Sequence, residues 1–412
     1  MIDYLRRSWA VVNLNNVAHN FTALKRVLTP GCKVMAAVKA DAYGHGDKYI
    51  ADQLVRLGVD WFGVSNLEEA LSLREQGIYH PILIFGVTPP ENVRQLNEYN
   101  LTQSIYSLPY ARELHAAAQA AGVGIQVHIK IDMGMSRLGF VLDNGFAEIS
   151  AGEIKEVCRM PRFQAQGIFT HFACADERND DSMAYTRGQY RKFCALIARL
   201  EQEGVTFSIR HCCNSAGAIG YPDMHMDMVR PGIVLYGLSP SDDCAGMIDL
   251  KPAMELYSCV SMVKEIADGT PVSYGRCYTA HRKTKVATVA IGYADGYERE
   301  LTNKARMLVR GQYANVIGRV CMDQLMLDVT HIDGVAAGDV VTIVGEDGGR
   351  RLTFDEMAAL SGSINYEKVC LIGKRVPRIY RQDGKDIGVV DYIRHYGVKG
   401  KQSANGLYSQ TV

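Results

Sequence analysis

The sequence has no excess of charge of either sign: lysine plus arginine and aspartate plus glutamate each number 45 in its 412 residues. A chain so balanced exerts no global pull on nucleic acid or on an acidic membrane surface, so a small molecule is the expected partner. It also lacks any CxxC pair. Its 11 cysteines are scattered, and the adjacent Cys212 and Cys213 fit no zinc spacing, so they read as reduced thiols and no metal is implied. No apolar run reaches membrane-spanning length, and the opening "MIDYLRRSWAVVNLNN" puts charges and asparagines where a signal peptide needs an apolar core. A cytoplasmic location away from membranes is the expectation.

What is present is apolar bulk, 47% hydrophobic residues, enough for a large core and about two to three domains. From residue 33 to about 240, eight β-rich runs recur: "KVMAAVKA", "VDWFGVS", "PILIFGV", "LTQSIYS", "GIQVHIKI", "FQAQGIFTHFA", "FSIRHCC" and "MDMVRPGIVLYG". Amphipathic spacers such as "LEEALSLREQG" and "YTRGQYRKFCALIARLEQEG" close on glycine after charged residues, as helices do. Eight alternations of strand and helix predict an α/β fold, a (β/α)8 TIM-type barrel. After about residue 245, period-two runs such as "ELYSCVSMVKEI" and "KVATVAIGYADGY" predict a mainly β C-terminal domain in which only "TFDEMAALSG" reads as helix. The expected boundaries are an N-terminal strand over 1–10 that either domain can accept, the barrel over 11–243, the β domain over 244–381, and a polar tail over 382–412.

Active sites of such barrels lie at the C-terminal ends of the strands, and Lys39 falls at that end of the first one, in "VMAAVKADAYGHG". A lysine partly withdrawn from water loses its proton more readily and can form a Schiff base with an aldehyde, of which pyridoxal phosphate is the obvious cofactor. Barrels often hold phosphate with the loops after the seventh and eighth strands, here "NSAG" and "RPGI". Ser215 offers a hydroxyl and a helix start, Gly232 and Ile233 offer backbone donors; ordinary turn chemistry explains the same residues equally well.

The strings "AVKADAYGHG", "HIKIDMGMSRLGF", "GIFTHFACADE", "HCCNSAG", "MVRPGIVLYG", "PVSYG", "IGYADGY", "GRVCMDQ" and "NYEKVCLIGKRVPR", in that order from about residue 5 to 380, together resemble the alanine racemases. The resemblance implies pyridoxal 5'-phosphate carried on Lys39, with Tyr43, Ser215, Gly232, Ile233 and Tyr366 around its phosphate and Asn214 also binding the cofactor. It implies that Arg230 faces the pyridine nitrogen and that His211 orients Arg230. A guanidinium only donates, so that nitrogen must accept and stay unprotonated, a weaker electron sink that disfavours transamination.

Racemisation by two bases on opposite faces of Cα moves neither group, and the resemblance implies Lys39 and Tyr274 for these roles, with His171 beside the tyrosine. It further implies that Arg137 reaches the cofactor's phenolic oxygen and the substrate carboxylate, that the Met322 N–H, Tyr293 and Asp323 bind substrate, and that Lys130 is carbamylated to pair with Arg137. Homodimers sharing active sites between chains, and D-alanine supply for peptidoglycan, follow from the same likeness. Met133, Cys174 and Cys213 depart from the family's usual residues. A serine or alanine/serine racemase is the alternative, since a pocket poorly rejects an analogue that merely adds a hydroxyl. A decarboxylase is less well supported because of Arg230 and "HCCNSAG", and so is a non-catalytic cofactor carrier, because of "PVSYG" and "GRVCMDQ".

Overall fold

The structure, a computed structural model, describes residues 7–143 and 145–395, so the start of the expected N-terminal strand and most of the polar tail lie outside the described residues. The chain divides into two compact units, Asn13–Ala253 and Met1–Val12 with Met254–Val412.

Strand β1 (Ser8–Asn13) belongs to the second unit; the first is built on β2 (Lys33–Ala37), β3 (Trp61–Val64), β4 (Ile82–Ile84), β5 (Thr102–Ile105), β6 (Ile125–Asp132), the short β7 (Phe140–Val141), β8 (Phe163–Phe169), β9 (Ile209–His211) and β10 (Met228–Val229). Eight of these run parallel in the order β10-β2-β3-β4-β5-β6-β8-β9, while β7 lies off this path and pairs with β6. The two ends of this sheet meet: the Asp227 N–H donates to Arg210 O at 3.1 Å and the Arg230 N–H to Cys213 O at 2.9 Å. These bonds nearly close the expected barrel. Its lumen is filled by one large residue from each of six strands: Met35, Trp61, Leu83, Phe169, Ile209 and Met228.

The helix expected over 185–204 spans Asp180–Gln202, because the Asn179 side chain accepts the Ser182 N–H at 2.9 Å and caps it earlier. The helix read in "LEEALSLREQG" spans Leu67–Glu75 under an Asn66 cap.

The second unit holds β11 (Met254–Ile266), β12 (Pro271–Val272), β13 (Tyr278–Thr279), β14 (Thr284–Val289), β15 (Arg306–Val309), β16 (Gln312–Val316), β17 (Leu325–Asp328), β18 (Val340–Asp347), β19 (Arg350–Leu352), β20 (Arg378–Gln382) and β21 (Lys385–Val390). All but the β12–β13 ribbon form, with β1, a 10-stranded sheet in the order β19-β18-β15-β16-β17-β14-β11-β1-β20-β21. Ser8 sits opposite Ser258, fixing β1 antiparallel to β11. The buried Asp295 carboxylate accepts from Arg7 and ties β1 to the turn before β15. Beside the helix Phe354–Ser361 the unit has a second, Asn365–Leu371. No disulfide joins any of the eleven cysteines.

Candidate active site

Lys39 lies two residues beyond the C-terminal end of β2, after Val38, and is half-buried. The backbone beyond it is unusual: Ala40, Asp41, Ala42 and Tyr43 have φ of 53°, 55°, 52° and 53°, a left-handed turn without glycine. Each such residue costs on the order of 1–2 kcal/mol, so something must hold the turn. Glu69 does: one carboxylate oxygen accepts the Ala40 N–H and the other the Ser65 N–H, both at 2.7 Å. Glu69 is the third residue of its helix, where a carboxylate ordinarily turns back to its own N-cap; here it joins the ends of β2 and β3 instead. Neither the turn nor Glu69 was foreseen, since "KADAY" carries only the local signals of a short helix.

Beside this turn lie the two expected phosphate loops. The Gly232 N–H donates to Ser215 Oγ at 2.8 Å, so the two candidate donors are bonded to each other. A Cβ on Gly232 would sit 2.4 Å from Tyr43 Oη, so only glycine lets that phenol approach. Tyr43 packs on Tyr236, with ring centroids 5.0 Å apart, and Tyr236 Oη donates to Ala37 O at 2.9 Å. Asn214 caps the turn Ser215–Gly220 by accepting the Gly217 N–H at 2.9 Å, while Ile233 is fully buried at the start of the turn that follows Gly232. Cys213 is buried beneath Gly217, and Met133 is buried with its carbonyl accepting from Gln189 Nε2 at 3.0 Å. Cys174 Sγ faces Thr186 Oγ1 at 3.6 Å.

Between the loops and the lumen runs a row of polar side chains. Arg230, 5% exposed, donates from Nη2 to Thr170 O at 2.5 Å and Cys212 O at 3.0 Å, and from Nη1 to His211 Nδ1 at 2.9 Å. His211 Nε2 lies 3.0 Å from Nδ1 of His128, a residue absent from the sequence reading though it shares a face of β6 with Lys130. The Phe169 ring stacks on His211 at 4.9 Å, with Arg230 and Lys130 over its face at 5.3 Å and 5.0 Å. His171 Nδ1 stands 3.5 Å from Arg230 Nη2.

Burial, and then the nearby Arg230 charge, hold His128, His211 and His171 neutral, pushing His128 down to about 3 and the other two well below the usual imidazole range. Burial lowers Arg230 as well, to about 10, leaving it a cation at neutral pH. Lys130 is pushed well below the ordinary lysine range by burial and by the Arg230 and Arg137 charges, against weaker help from Asp132. Its Nζ donates to Ile131 O at 3.1 Å. Arg137 itself is exposed, on a loop whose N–H groups from Gly134, Ser136 and Arg137 converge on the Asp132 carboxylate.

The second unit carries the remaining expected residues. Tyr274 stands 70% exposed at the tip of the β12–β13 ribbon, entered through Ser273 at φ 67°. Tyr293 and Met322 are brought together because the Tyr293 N–H donates to Cys321 O at 3.1 Å and the Ala294 N–H to Met322 O at 3.0 Å. Asp323 accepts from Arg375 Nη1 at 2.7 Å, and Tyr366 lies in the helix Asn365–Leu371.

Comparison with known proteins gives these two sets of residues a context. The family profile for the alanine racemase N-terminal domain matches residues 12–240, and that for the C-terminal domain matches 253–380. Alanine racemase 2 of Caldanaerobacter subterraneus subsp. tengcongensis is 42% identical, covering 96% of this chain and all of the relative. Alanine racemase of Desulfovibrio desulfuricans is 44% identical over 92% of this chain and all of its own length. Among solved structures, alanine racemase from Bacillus anthracis with bound L-Ala-P superposes with a TM-score of 0.89 at 32% identity, covering 95% of this chain and 100% of that one. The Clostridium difficile 630 enzyme in complex with cycloserine gives 0.86 at 35%, with the same coverage.

Proposed function

The chain belongs to the alanine racemase family and is an isomerase that interconverts L- and D-alanine, and we propose that it works on pyridoxal phosphate carried by Lys39, with Lys39 and Tyr274 as its two bases. The observation that carries the cofactor reading is the polar row headed by Arg230. A buried guanidinium backed by neutral histidines offers donors and no acceptor, which suits a pyridine nitrogen left unprotonated. The contact between Tyr43 and Gly232, beside the Ser215 hydroxyl, is a cradle that a Cβ would fill, and it suits a phosphate.

In this reading Lys39, Tyr43, Asn214, Ser215, Gly232, Ile233 and Tyr366 hold the cofactor, which when bound supplies the electron sink that acidifies the substrate Cα–H. Lys39 Nζ holds or returns the proton on one face of Cα, and Tyr274 Oη does so on the other. Arg137 and the Met322 N–H take the substrate carboxylate, with Tyr293 and Asp323 bounding a pocket sized for alanine. Burial and the Arg230 and Arg137 charges make Lys130 easier to deprotonate, and carbon dioxide adds to the deprotonated amine; its carbamate would be an anion able to hold Arg137, with one proton released as the N–C bond forms. His171 takes its place beside Tyr274 in a second copy of the chain. Free cysteines suit a cytoplasmic enzyme, and no described helix is long and apolar enough to cross a membrane. D-alanine made there would feed peptidoglycan synthesis.

The test is borohydride treatment of the yellow, cofactor-loaded protein followed by peptide mapping. The label is expected on the peptide containing Lys39, with loss of racemisation from either pure enantiomer. A label on another lysine would overturn the assignment.

A further inference from the structure

Arg230 fixes the protons of the two histidines behind it. A guanidinium can only donate, so His211 Nδ1, 2.9 Å from Arg230 Nη1, must present its lone pair. His211 is neutral, so its single proton lies on Nε2, and that nitrogen is 3.0 Å from His128 Nδ1. His128 Nδ1 therefore accepts, and its own proton lies on Nε2. That last N–H is fully buried and has no hydrogen-bond partner among the described residues. Such an orphan costs about 1–3 kcal/mol and calls for an explanation.

The surroundings show that the ring is held there by construction. The pairing of β6 with β8 slips by one residue between Val127 and His128, setting His128 opposite Gly167. A Cβ on Gly167 would lie 2.6 Å from the His128 ring, so only glycine leaves room for it, and the Trp61 ring packs against it with centroids 5.2 Å apart.

We infer that His128 is a positioning residue for Arg230: by accepting from Nε2 it holds His211 in the one tautomer that can receive the Arg230 donor. With the proton on Nδ1 instead, His211 would point an N–H at the N–H of Arg230 and turn the guanidinium out of its place. The buried orphan on His128 is the cost of ending the chain on an acceptor. This role rests on the reading that Arg230 faces the cofactor nitrogen, but the tautomer itself does not.

The experiment uses 15N-histidine-labelled protein without cofactor, then the loaded enzyme. In the wild-type chain Nδ1 of both His128 and His211 should resonate as unprotonated nitrogens and Nε2 of both as protonated ones. His128→Leu removes the acceptor and should give His211 mixed tautomers, with kcat for alanine lower by roughly ten- to a hundred-fold and KM little changed. His128→Asn places an amide oxygen where Nδ1 was and should restore both. A proton on Nδ1 of either wild-type histidine would overturn the inference, as would a folded His128→Leu chain with unaltered His211 tautomer and kcat. If the leucine variant does not fold, the wild-type spectra and the asparagine variant decide. A wild-type chain that takes up no pyridoxal phosphate would sink the functional reading alone, leaving the tautomers to judge the relay.

Discussion

The neutral histidines inside the barrel make the stability of the chain depend on pH with a definite sign. His128 and His211 are fully buried and held below the usual imidazole range, His128 at about 3. The unfolded chain binds their protons near pH 6.5 and the native chain does not, so stability is complete above about pH 6.5 and is lost as pH falls below it. Each such group contributes about 1.4 kcal/mol per pH unit in that window, roughly 3 for the pair. Urea unfolding at about pH 6 and about pH 5 should show this fall, and His128→Asn, which cannot titrate, should remove the His128 share of it, about 1.4 kcal/mol per pH unit. An unchanged slope in a folded variant would show that His128 takes up a proton while native.

At the scale of elements, the left-handed turn after β2 is the feature on which Lys39 depends. Its two clamping bonds run from backbone N–H groups to one carboxylate, which makes them stronger than neutral ones, at about 1.5–3 kcal/mol each before solvent screening. Glu69 is only partly buried, so Glu69→Ala is expected to cost about 1–3 kcal/mol in total, read from the denaturant midpoint. Borohydride labelling at Lys39 should become slower and less complete, because Ala40 and Ser65 are then free to relax apart; labelling at the wild-type rate would show that the turn holds itself. The barrel strands were legible because each is a short apolar run bounded by turn residues, and the lysine was legible because it ends one of them. The turn was not, because Ala-Asp-Ala-Tyr has no glycine to mark positive φ and only a distant carboxylate explains it. The helix Asn365–Leu371 also went unread: it has seven residues and no side-chain cap to mark its start. His128 was passed over because a histidine on a buried face ordinarily reads as core, and only its distance to His211 reveals a row.

At the scale of the whole molecule, the expected site residues fall on two compact units: Lys39, Arg230 and the phosphate loops on one, Tyr274, Tyr293 and Met322 on the other. Tyr274 is 70% exposed, an uneconomical place for a phenol unless another surface receives it. If that surface is the barrel of a second copy, each active site needs two chains, and complementation tests this directly. A Lys39→Ala chain keeps its tyrosine and a Tyr274→Phe chain keeps its lysine, so each alone should be nearly inactive. After mixing and subunit exchange, the mixed dimer contains one site without either base and one site with both. Activity should return, to roughly half the wild-type value per mixed dimer. Differently tagged chains report whether exchange has taken place. Exchange without recovery would mean that Tyr274 serves its own barrel or has no part in the proton transfer, and the two-chain site would be abandoned.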